Sequence, residues 1–389
     1  MLSYNRSTPY PESTRDISEN QKPVFKLSDN FKKMDNNYTV SDCSNLEGLN
    51  VEMVEAHYPA IVFLVFEMIL GATGNCMVAY IYYYKFEVSS TQIFIVALSI
   101  YDFLTSTISI PMEIVLLRLS FTFDCDTACR LIRFFIVFAI ISSALIVIII
   151  AVDRYILVCR PLSQKISIKN SKRILAVLGF LSFIFSIPAY FVYSKHERKV
   201  KQCGKIGTVC SLSSYSEESI YPLVYYSTVL AVCSFAFIAL MIIYLLIGIR
   251  IWKIYRAKNF RTVTSISIAN DNSIKPLGIV HRPFVKQFIS APRIKRHSMN
   301  PFKTTLVLFI ITLIWTLSYL PHFIGAFWKM SIKDFNDSTT YKEQLAYHFF
   351  MYSYYINCAA NPYIYGLFCK QFRSELRIKL RKIFVCCKK

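Results

Sequence analysis

Charge is scarce in this chain. Only 17% of its 389 residues are Asp, Glu, Lys or Arg, where a soluble domain carries about 25%. Glycine is scarce as well, at ten residues, while aromatics reach 15%; that excludes a fibrous or disordered composition. The twelve cysteines include no CxxC pair, so a zinc ribbon is not expected. Residues 1–25 hold no apolar run of the signal-peptide kind, so no cleavable leader is expected. Acids are outnumbered: 24 Asp and Glu face 44 Lys and Arg, for a net charge of +20. On a soluble protein that surplus would point to nucleic acid. Here the basic residues cluster in loops between apolar runs, so a nucleic-acid partner is not expected.

What is abundant is apolar. Hydrophobic residues make up 54% of the chain and the mean hydropathy is +0.40. They fall into seven stretches, at about 59–84, 91–117, 130–158, 173–193, 221–250, 304–328 and 345–367. Each is near the roughly 20 residues a helix needs to cross the hydrocarbon core. The expected fold is an all-α membrane protein: a seven-transmembrane helix bundle over 58–367, its two ends on opposite sides of the bilayer. Loop 154–173 carries Arg154, Arg160, Lys165, Lys169, Lys172 and Arg173 and no acid, and loop 250–303 is rich in basic residues against Asp271 alone. Positive loops stay in the cytoplasm, so the N-terminus should be extracellular, in the plasma membrane. The N-x-S/T sequons at Asn5, Asn37 and Asn336 all fall on that outer side and are the expected glycosylation sites.

Residues 1–57 are polar and read as a disordered extracellular tail. The cytoplasmic loop 254–302, with Pro276, Pro283, Pro292 and Pro301, should hold little stable structure. In the last segment, 368–389, Phe368, Phe372, Leu376 and Leu380 recur every four residues. Lys370, Arg373, Arg377, Lys379 and Arg381 fall largely between them. That pattern predicts a short amphipathic eighth helix lying on the cytoplasmic face of the bilayer. Cys386 and Cys387 at its end are either S-palmitoylated or plain thiols in a reducing cytosol.

The pair Asp153–Arg154 closes the third stretch. A charge inside a membrane costs roughly 2.5–3.5 kcal/mol on insertion scales, so it marks either a function or a membrane boundary. Further motifs sit on separate stretches. They are GATGN at 71–75, ALSIYD at 97–102, Cys129 at the outer end of the third, Pro321 in the sixth and NPYIY at 361–365. With DRY at 153–155 and an outside N-terminus, they resemble the rhodopsin-like family of G-protein-coupled receptors, in its neuropeptide-receptor branch. The resemblance covers about 58–385.

The resemblance implies a receptor, not an enzyme, that binds an extracellular ligand, above all a neuropeptide, and activates a heterotrimeric G protein. It implies that Asp153 holds Arg154 at rest, beside Tyr155, and releases it when the sixth span swings outward. Leu162, in the loop that follows, would insert into the G-protein α subunit. Pro362 would kink the seventh span, with Asn361 and water taking up the freed carbonyl, and the Tyr244 and Tyr365 hydroxyls would hold the active state. Asp102 with Ser143 and Asn357 would hold a sodium ion, a set of hard oxygen donors. The alternative is a neutral Asp102 hydrogen-bonded to its neighbours and water. Cys129 would pair with a cysteine of the second extracellular loop. Cys203 and Cys210 both qualify, and Cys210 is preferred because it lies closer to the fifth span. Thr262, Thr264, Ser265, Ser267, Ser290 and Ser298 are candidate phosphosites, with receptor kinase and arrestin as the implied partners.

Several positions depart from the family pattern. Tyr319 stands in place of the tryptophan at the pocket floor, Trp315 where phenylalanine is usual, and Ala236 where the fifth span usually has proline. Pro301 falls near the place of an acid at the base of the sixth span, so the usual ionic latch to Arg154 cannot form there. Ile136 stands where amine receptors carry Asp, which disfavours a biogenic amine. Glu113 and Arg133 are left near the pocket rim, with His322, Phe323, His348, Tyr352 and Tyr355 as polar and aromatic wall. Glu113 would take a ligand Arg or Lys and Arg133 a carboxylate or amidated terminus; the alternative is a salt bridge between the two. His322 reads equally as an interhelical hydrogen-bonding residue, and Glu67 is an intramembrane acid without an assigned role. Two other functions compete. A decoy or atypical receptor would bind ligand without coupling, and a transporter would show an internal repeat with broken helices; no repeat is visible.

Overall fold

A computed structural model describes residues 46–199, 204, 206–212, 221–271, 301–331 and 341–386. Asn5, Asn37, Asn336, Cys203, Cys387, Ser290 and Ser298 lie outside them.

Helix α1 runs Leu46–Lys85, which corrects the expected tail boundary at 57: about three more turns belong to the folded part. The Asn50 side chain supplies the reason. Its Nδ2 donates to the Arg118 carbonyl at 2.9 Å and its Oδ1 accepts from the Phe121 amide at 2.9 Å, stitching the helix start to a distant loop. Helix α2 (Ser90–Leu104) is capped by Ser89, whose side chain accepts from the Gln92 amide. A π turn (Thr105–Ser109) leads into α3 (Ile110–Arg118). Pro111 lies just beyond the turn, has no N–H to donate and crowds the preceding turn, and a π turn absorbs that mismatch. Within the turn Thr105, Ser106 and Thr107 donate to the carbonyls of Tyr101, Asp102 and Phe103, so their hydroxyls are satisfied inside an apolar span.

Helices α4 (Asp126–Cys159), α5 (Ile168–Val192), α6 (Tyr221–Asp271) and α7 (Pro301–Ser331) follow. Helix α6 extends into the segment expected to be unstructured, because the prolines there begin only at Pro276. Among the described residues, six helical segments are long and apolar enough to cross a membrane: His57–Lys85, Ser90–Arg118, Asp126–Cys159, Ile168–Val192, Ser227–Ala257 and Lys303–Lys329. Large side chains such as Phe180, Phe185, Phe191, Phe235 and Leu245 stay exposed on them, as lipid-facing residues do. The chain is a helical multi-pass membrane protein. The seventh apolar stretch divides into α8 (Tyr341–Tyr352), a 3-10 turn (Ser353–Tyr355) and α9 (Ile356–Phe368), so no one helix within it reaches span length. Helix α10 (Lys370–Cys386) follows after Cys369.

Helix α4 is the central element: it packs on α2, α5, α6 and α7, while α9 packs on both α1 and α7 and so closes the ring. One apolar cluster, around Ile81, Phe94, Ile150, Leu308 and Tyr365, fills the end near Arg154. A second, around Leu64, Ile110, Tyr355 and Cys358, lies towards the other end. That other end carries an antiparallel hairpin of β1 (Tyr193–Lys199) and β2 (Ile206–Leu212), with Lys195 opposite Cys210. A disulfide joins Cys210 to Cys129 at the start of α4. Phe121 and Thr208 add backbone hydrogen bonds of 2.8 and 3.1 Å, the second from the Phe123 amide.

Two glycines of the GATGN motif let α1 approach its neighbours. A Cβ on Gly71 would meet Ser106, and a Cβ on Gly74 would stand 2.6 Å from the Pro362 ring. Gly74→Val should therefore lose about 1–3 kcal/mol of stability through overpacking, read as a lower melting temperature of the detergent-solubilised protein. Gly248→Ala, with nothing within 4 Å of its added carbon, should melt like the parent. Equal melting of all three proteins would refute this packing.

Candidate functional site

Polar groups gather at three levels of the bundle. The first lies at the C-terminal end of α4, where Asp153 and Arg154 are 4% and 2% exposed. Burial of both charges demands partners. The Asp153 carboxylate accepts from Ser90 Oγ at 2.6 Å and from Thr91 Oγ1 at 2.8 Å. Arg154 Nη2 donates to Asp153 Oδ2 and to Thr91 Oγ1. Arg154 is thus tied to its neighbouring acid and to α2. Motif reading misses Ser90 and Thr91, because hydroxyls at the start of a span look like an ordinary helix cap.

Around this lock, Tyr155 is partly buried against the apolar core and Leu162 stands fully exposed in the following loop. The Tyr244 hydroxyl donates to the Leu308 carbonyl at 3.2 Å and lies 2.9 Å from Thr312 Oγ1. It ties α6 to α7. The Tyr365 hydroxyl is buried and has no hydrogen-bond partner among the described residues. The two tyrosines are not joined by a hydrogen bond here, and Thr312 is a partner that no motif announces.

The middle level centres on Asp102, 1% exposed. Ser143 Oγ lies 3.3 Å from its Oδ1, and Asn361 Nδ2 donates to its Oδ2 at 2.6 Å. The amide oxygens of Asn357 and Asn361 are buried without a partner among the described residues. Pro362 removes the N–H that would have bonded the Cys358 carbonyl one turn earlier. Asn75, not Asn361, takes up that carbonyl: its Nδ2 donates there at 2.6 Å and to Gly71 O at 2.9 Å. This corrects the expectation for Asn361, which is committed to Asp102. The geometric reason is that α1 comes close enough at Gly74 for the next residue to reach.

The third level faces the hairpin. Arg133 Nη1 donates to both Glu113 oxygens, at 3.1 and 3.2 Å, with Glu113 3% exposed. The guanidinium also lies over the Tyr193 ring at 5.2 Å, within cation–π reach. In this state Arg133 Nη1 and the Glu113 carboxylate satisfy one another, while Arg133 Nε is buried with no partner among the described residues. The His322 Nδ1 is 2.8 Å from the Met351 carbonyl, and its ring meets Phe323 at 5.6 Å and Tyr354 at 5.1 Å. Tyr319 lies between Trp315, at 4.9 Å, and Tyr354, at 5.7 Å. His348 sits edge-on to His57 at 4.4 Å and stacks on Tyr352 at 6.4 Å. Tyr355 is buried with its hydroxyl unpartnered among the described residues, and Ile136 is buried as well. Glu67 is buried on α1, with Oε2 likewise unpartnered among the described residues.

Outside the spans, Lys195 organises the hairpin root. Its Nζ donates to Asp124 Oδ1 at 2.7 Å and its amide to Asp126 Oδ1 at 2.8 Å, while Arg130 Nε donates to Asp126 Oδ2 at 2.7 Å. The hydrogen bond and charge of Lys195 hold the Asp124 carboxyl below the ordinary range.

A ring of apolar helices with a caged arginine at one end and a paired charge site under a disulfide-held hairpin at the other defines a membrane receptor. Residues 74–365, most of the chain, match the 7 transmembrane receptor (rhodopsin family), and the chain belongs to that family. It is a receptor rather than an enzyme. Over 351 residues it is 21% identical to neuromedin-U receptor 1 of Mus musculus, across 88% of this chain and 77% of that protein. The Rattus norvegicus neuromedin-U receptor 1 is also 21% identical, over 369 residues, 93% of this chain and 82% of that protein. Nematocin receptor 2 of Caenorhabditis elegans is 28% identical over 157 residues, 38% of this chain and 39% of that protein.

Two outcomes follow from this geometry. Glu113→Leu strands the Arg133 cation and should cost about 3–5 kcal/mol, whereas Glu113→Leu with Arg133→Leu should recover most of it; thermal unfolding distinguishes them, and a double variant no better than the single one contradicts a paired site. At the hairpin root Asp124 titrates lower when folded than unfolded, so its contribution is present at neutral pH and is lost as pH falls through the folded value. Hydrogen exchange across β1 and β2 should stay slow until pH drops below the ordinary aspartate range; faster exchange already near neutrality would show that the Asp124–Lys195 contact does not hold the root.

Proposed function

We propose that this chain is a G-protein-coupled receptor of the plasma membrane that binds an extracellular peptide, as the names of its relatives suggest, and activates a heterotrimeric G protein. The observation that carries the reading is the buried lock of Arg154 with Asp153 and Thr91: a charge placed inside the bundle next to a basic loop, held by contacts that a helix movement can break. In this reading the N-terminus and hairpin are extracellular, since the Arg154 end adjoins the positive loops. In this reading α8 and α9 together make the seventh span, and α10 lies along the inner leaflet. Asn5, Asn37 and Asn336 are the glycosylation sites, and Cys386 and Cys387 the lipid-modified ones.

The ligand enters from the hairpin end. Glu113 and Arg133 exchange their mutual pair for a basic side chain and a carboxylate or amide of the peptide. Tyr319, His322, Phe323, His348, Tyr352 and Tyr355 form the wall, and Ile136 offers no carboxylate to an amine. The Asp102 carboxylate, Ser143 hydroxyl and Asn357 amide oxygen are hard donors that fit a sodium ion, and the unpartnered Asn357 oxygen supports that fit. A bound ion would add positive charge between α2, α4 and α9. When the base of α7 moves outward, Arg154 leaves Asp153 and meets the G protein, with Leu162 contacting the α subunit. The Tyr244 hydroxyl then leaves Thr312 and, with the Tyr365 hydroxyl, holds the active state, while Asn361 with Pro362 provides the bend. Receptor kinase and arrestin follow on the phosphorylated cytoplasmic loop.

A decoy receptor is the second reading, favoured by Tyr319 in the place of tryptophan; a G-protein dissociation assay separates the two. Thr91→Val removes a hydroxyl that bonds both Asp153 and Arg154, so ligand-independent calcium or cAMP output should rise several-fold over the parent at matched surface expression. A neuropeptide library read by the same signals should yield an agonist whose potency falls at least about tenfold in Glu113→Gln, the loss of one charge-assisted contact. Silence of parent and Thr91→Val alike, with every peptide, would leave the decoy reading standing instead.

A further inference from the structure

At the hairpin end of the bundle, two imidazoles from different helices meet. His57 of α1 and His348 of α8 have ring centres 4.4 Å apart, with the rings 78° from parallel. The contacts of His57 fix its tautomer. Ser120 Oγ donates its one hydrogen to the Leu117 carbonyl at 2.6 Å. Its lone pairs therefore face His57 Nδ1 at 3.1 Å, and the same nitrogen lies 3.4 Å from the Leu117 carbonyl. Two acceptors around Nδ1 place the proton there and leave the Nε2 lone pair free. His57 is 7% exposed, and its Nε2 has no hydrogen bond among the described residues. The His348 ring stacks on Tyr352 at 6.4 Å and meets Tyr347 at 5.3 Å. Neither of its nitrogens has a hydrogen bond among the described residues. Imidazole nitrogens left without partners inside a bundle are costly.

We propose that His57 and His348 bind a divalent transition-metal ion of the zinc and copper class, which ties α1 to α8. Imidazole is a ligand these ions favour. A metal-bound imidazole gives its other N–H to a carbonyl or similar acceptor, and that is the arrangement of His57 Nδ1 with Leu117 and Ser120. The spacing fits as well. An ion about 2.0–2.1 Å from each nitrogen stands about 3 Å from each ring centre, so rings sharing it have centres about 4.5–5 Å apart. From 4.4 Å, a turn of the His348 ring, which no hydrogen bond holds, brings one of its nitrogens to the ion. Water completes the coordination, since no third His, Cys, Asp or Glu joins the pair among the described residues. Lys329 is the cation whose charge both rings feel, with its Nζ 5.3 Å from the Tyr347 ring centre. Two protein ligands beside a cation make a reversible, micromolar site rather than a permanent structural one. His348 stacks on Tyr352 of the proposed ligand wall, so an occupied site stiffens that wall. Only the source of the ion, outside the cell, rests on the proposed orientation; the binding does not.

The test uses the purified full-length receptor in detergent, stripped with chelator and unfolded thermally against zinc chloride, with magnesium chloride as the hard-ion control. Zinc should raise the melting temperature saturably, with a midpoint in the micromolar range, and magnesium should leave it unchanged. The midpoint should weaken about tenfold or more in His57→Gln and in His348→Gln, each the loss of one ligand, and about threefold or more in Ser120→Ala, the loss of an orienting partner. It should stay within about twofold of the parent in His196→Gln, a histidine of the hairpin. Where a histidine variant does not fold, the parent decides: with one equivalent of copper(II), pulsed electron paramagnetic resonance should show two coordinated imidazoles. No zinc-dependent shift, a shift kept in both His57→Gln and His348→Gln, or a copper signal with fewer than two imidazoles would overturn the proposal and leave the pair as a packing contact.

Discussion

The hydrocarbon core of a bilayer offers no water, so every carbonyl and charge within a membrane span has to find its partner inside the protein. The Cys358 carbonyl is the sharpest case. Pro362 frees it, and Asn75 of another helix binds it at 2.6 Å. That contact forms only because Gly74 lets α1 lie against the proline ring. A proline in α9, a glycine in α1 and an asparagine beside it are one device. The same constraint explains the hydroxyls of the π turn, which return their hydrogens to their own helix.

Charges obey the rule by pairing at three heights, and α4 contributes to each: Arg133 to Glu113, Ser143 to Asp102, and Asp153 with Arg154 to Ser90 and Thr91. At 1.5 Å per residue these heights are about 15 Å apart. A stiff helix therefore carries a charged pair below the hairpin and a caged arginine at the opposite end. In the proposed mechanism, exchange of the upper pair for a ligand and release of the lower one would be movements of groups on a shared rod, with the Asp102 level between them.

Membership in the rhodopsin family coexists with low identity to its relatives, 21% to the mouse neuromedin-U receptor. The departures show how such divergence is accommodated. Where the base of α7 lacks an acid, Arg154 is held by Asp153 and by Thr91 of α2. Where tryptophan is usual, Tyr319 fills the layer between Trp315 and Tyr354. The lock and the aromatic floor persist as physical functions while the residues that perform them change.

Hydropathy determined the apolar helices, and short motifs marked Asp102, Asp153, Arg154 and Asn361, because both signals are local. Helix ends were less legible: α1 begins at Leu46 and α6 runs to Asp271, since contacts such as that of Asn50 and the distribution of prolines decide where a helix stops. Tertiary structure alone decided the partners. Asn75 and Cys358 are 283 residues apart, Asp102 and Asn361 259, Thr91 and Arg154 63. A sequence specifies which residues are costly to leave unpaired; which distant group relieves that cost depends on how closely the helices pack, and that is settled only when all of them are in place.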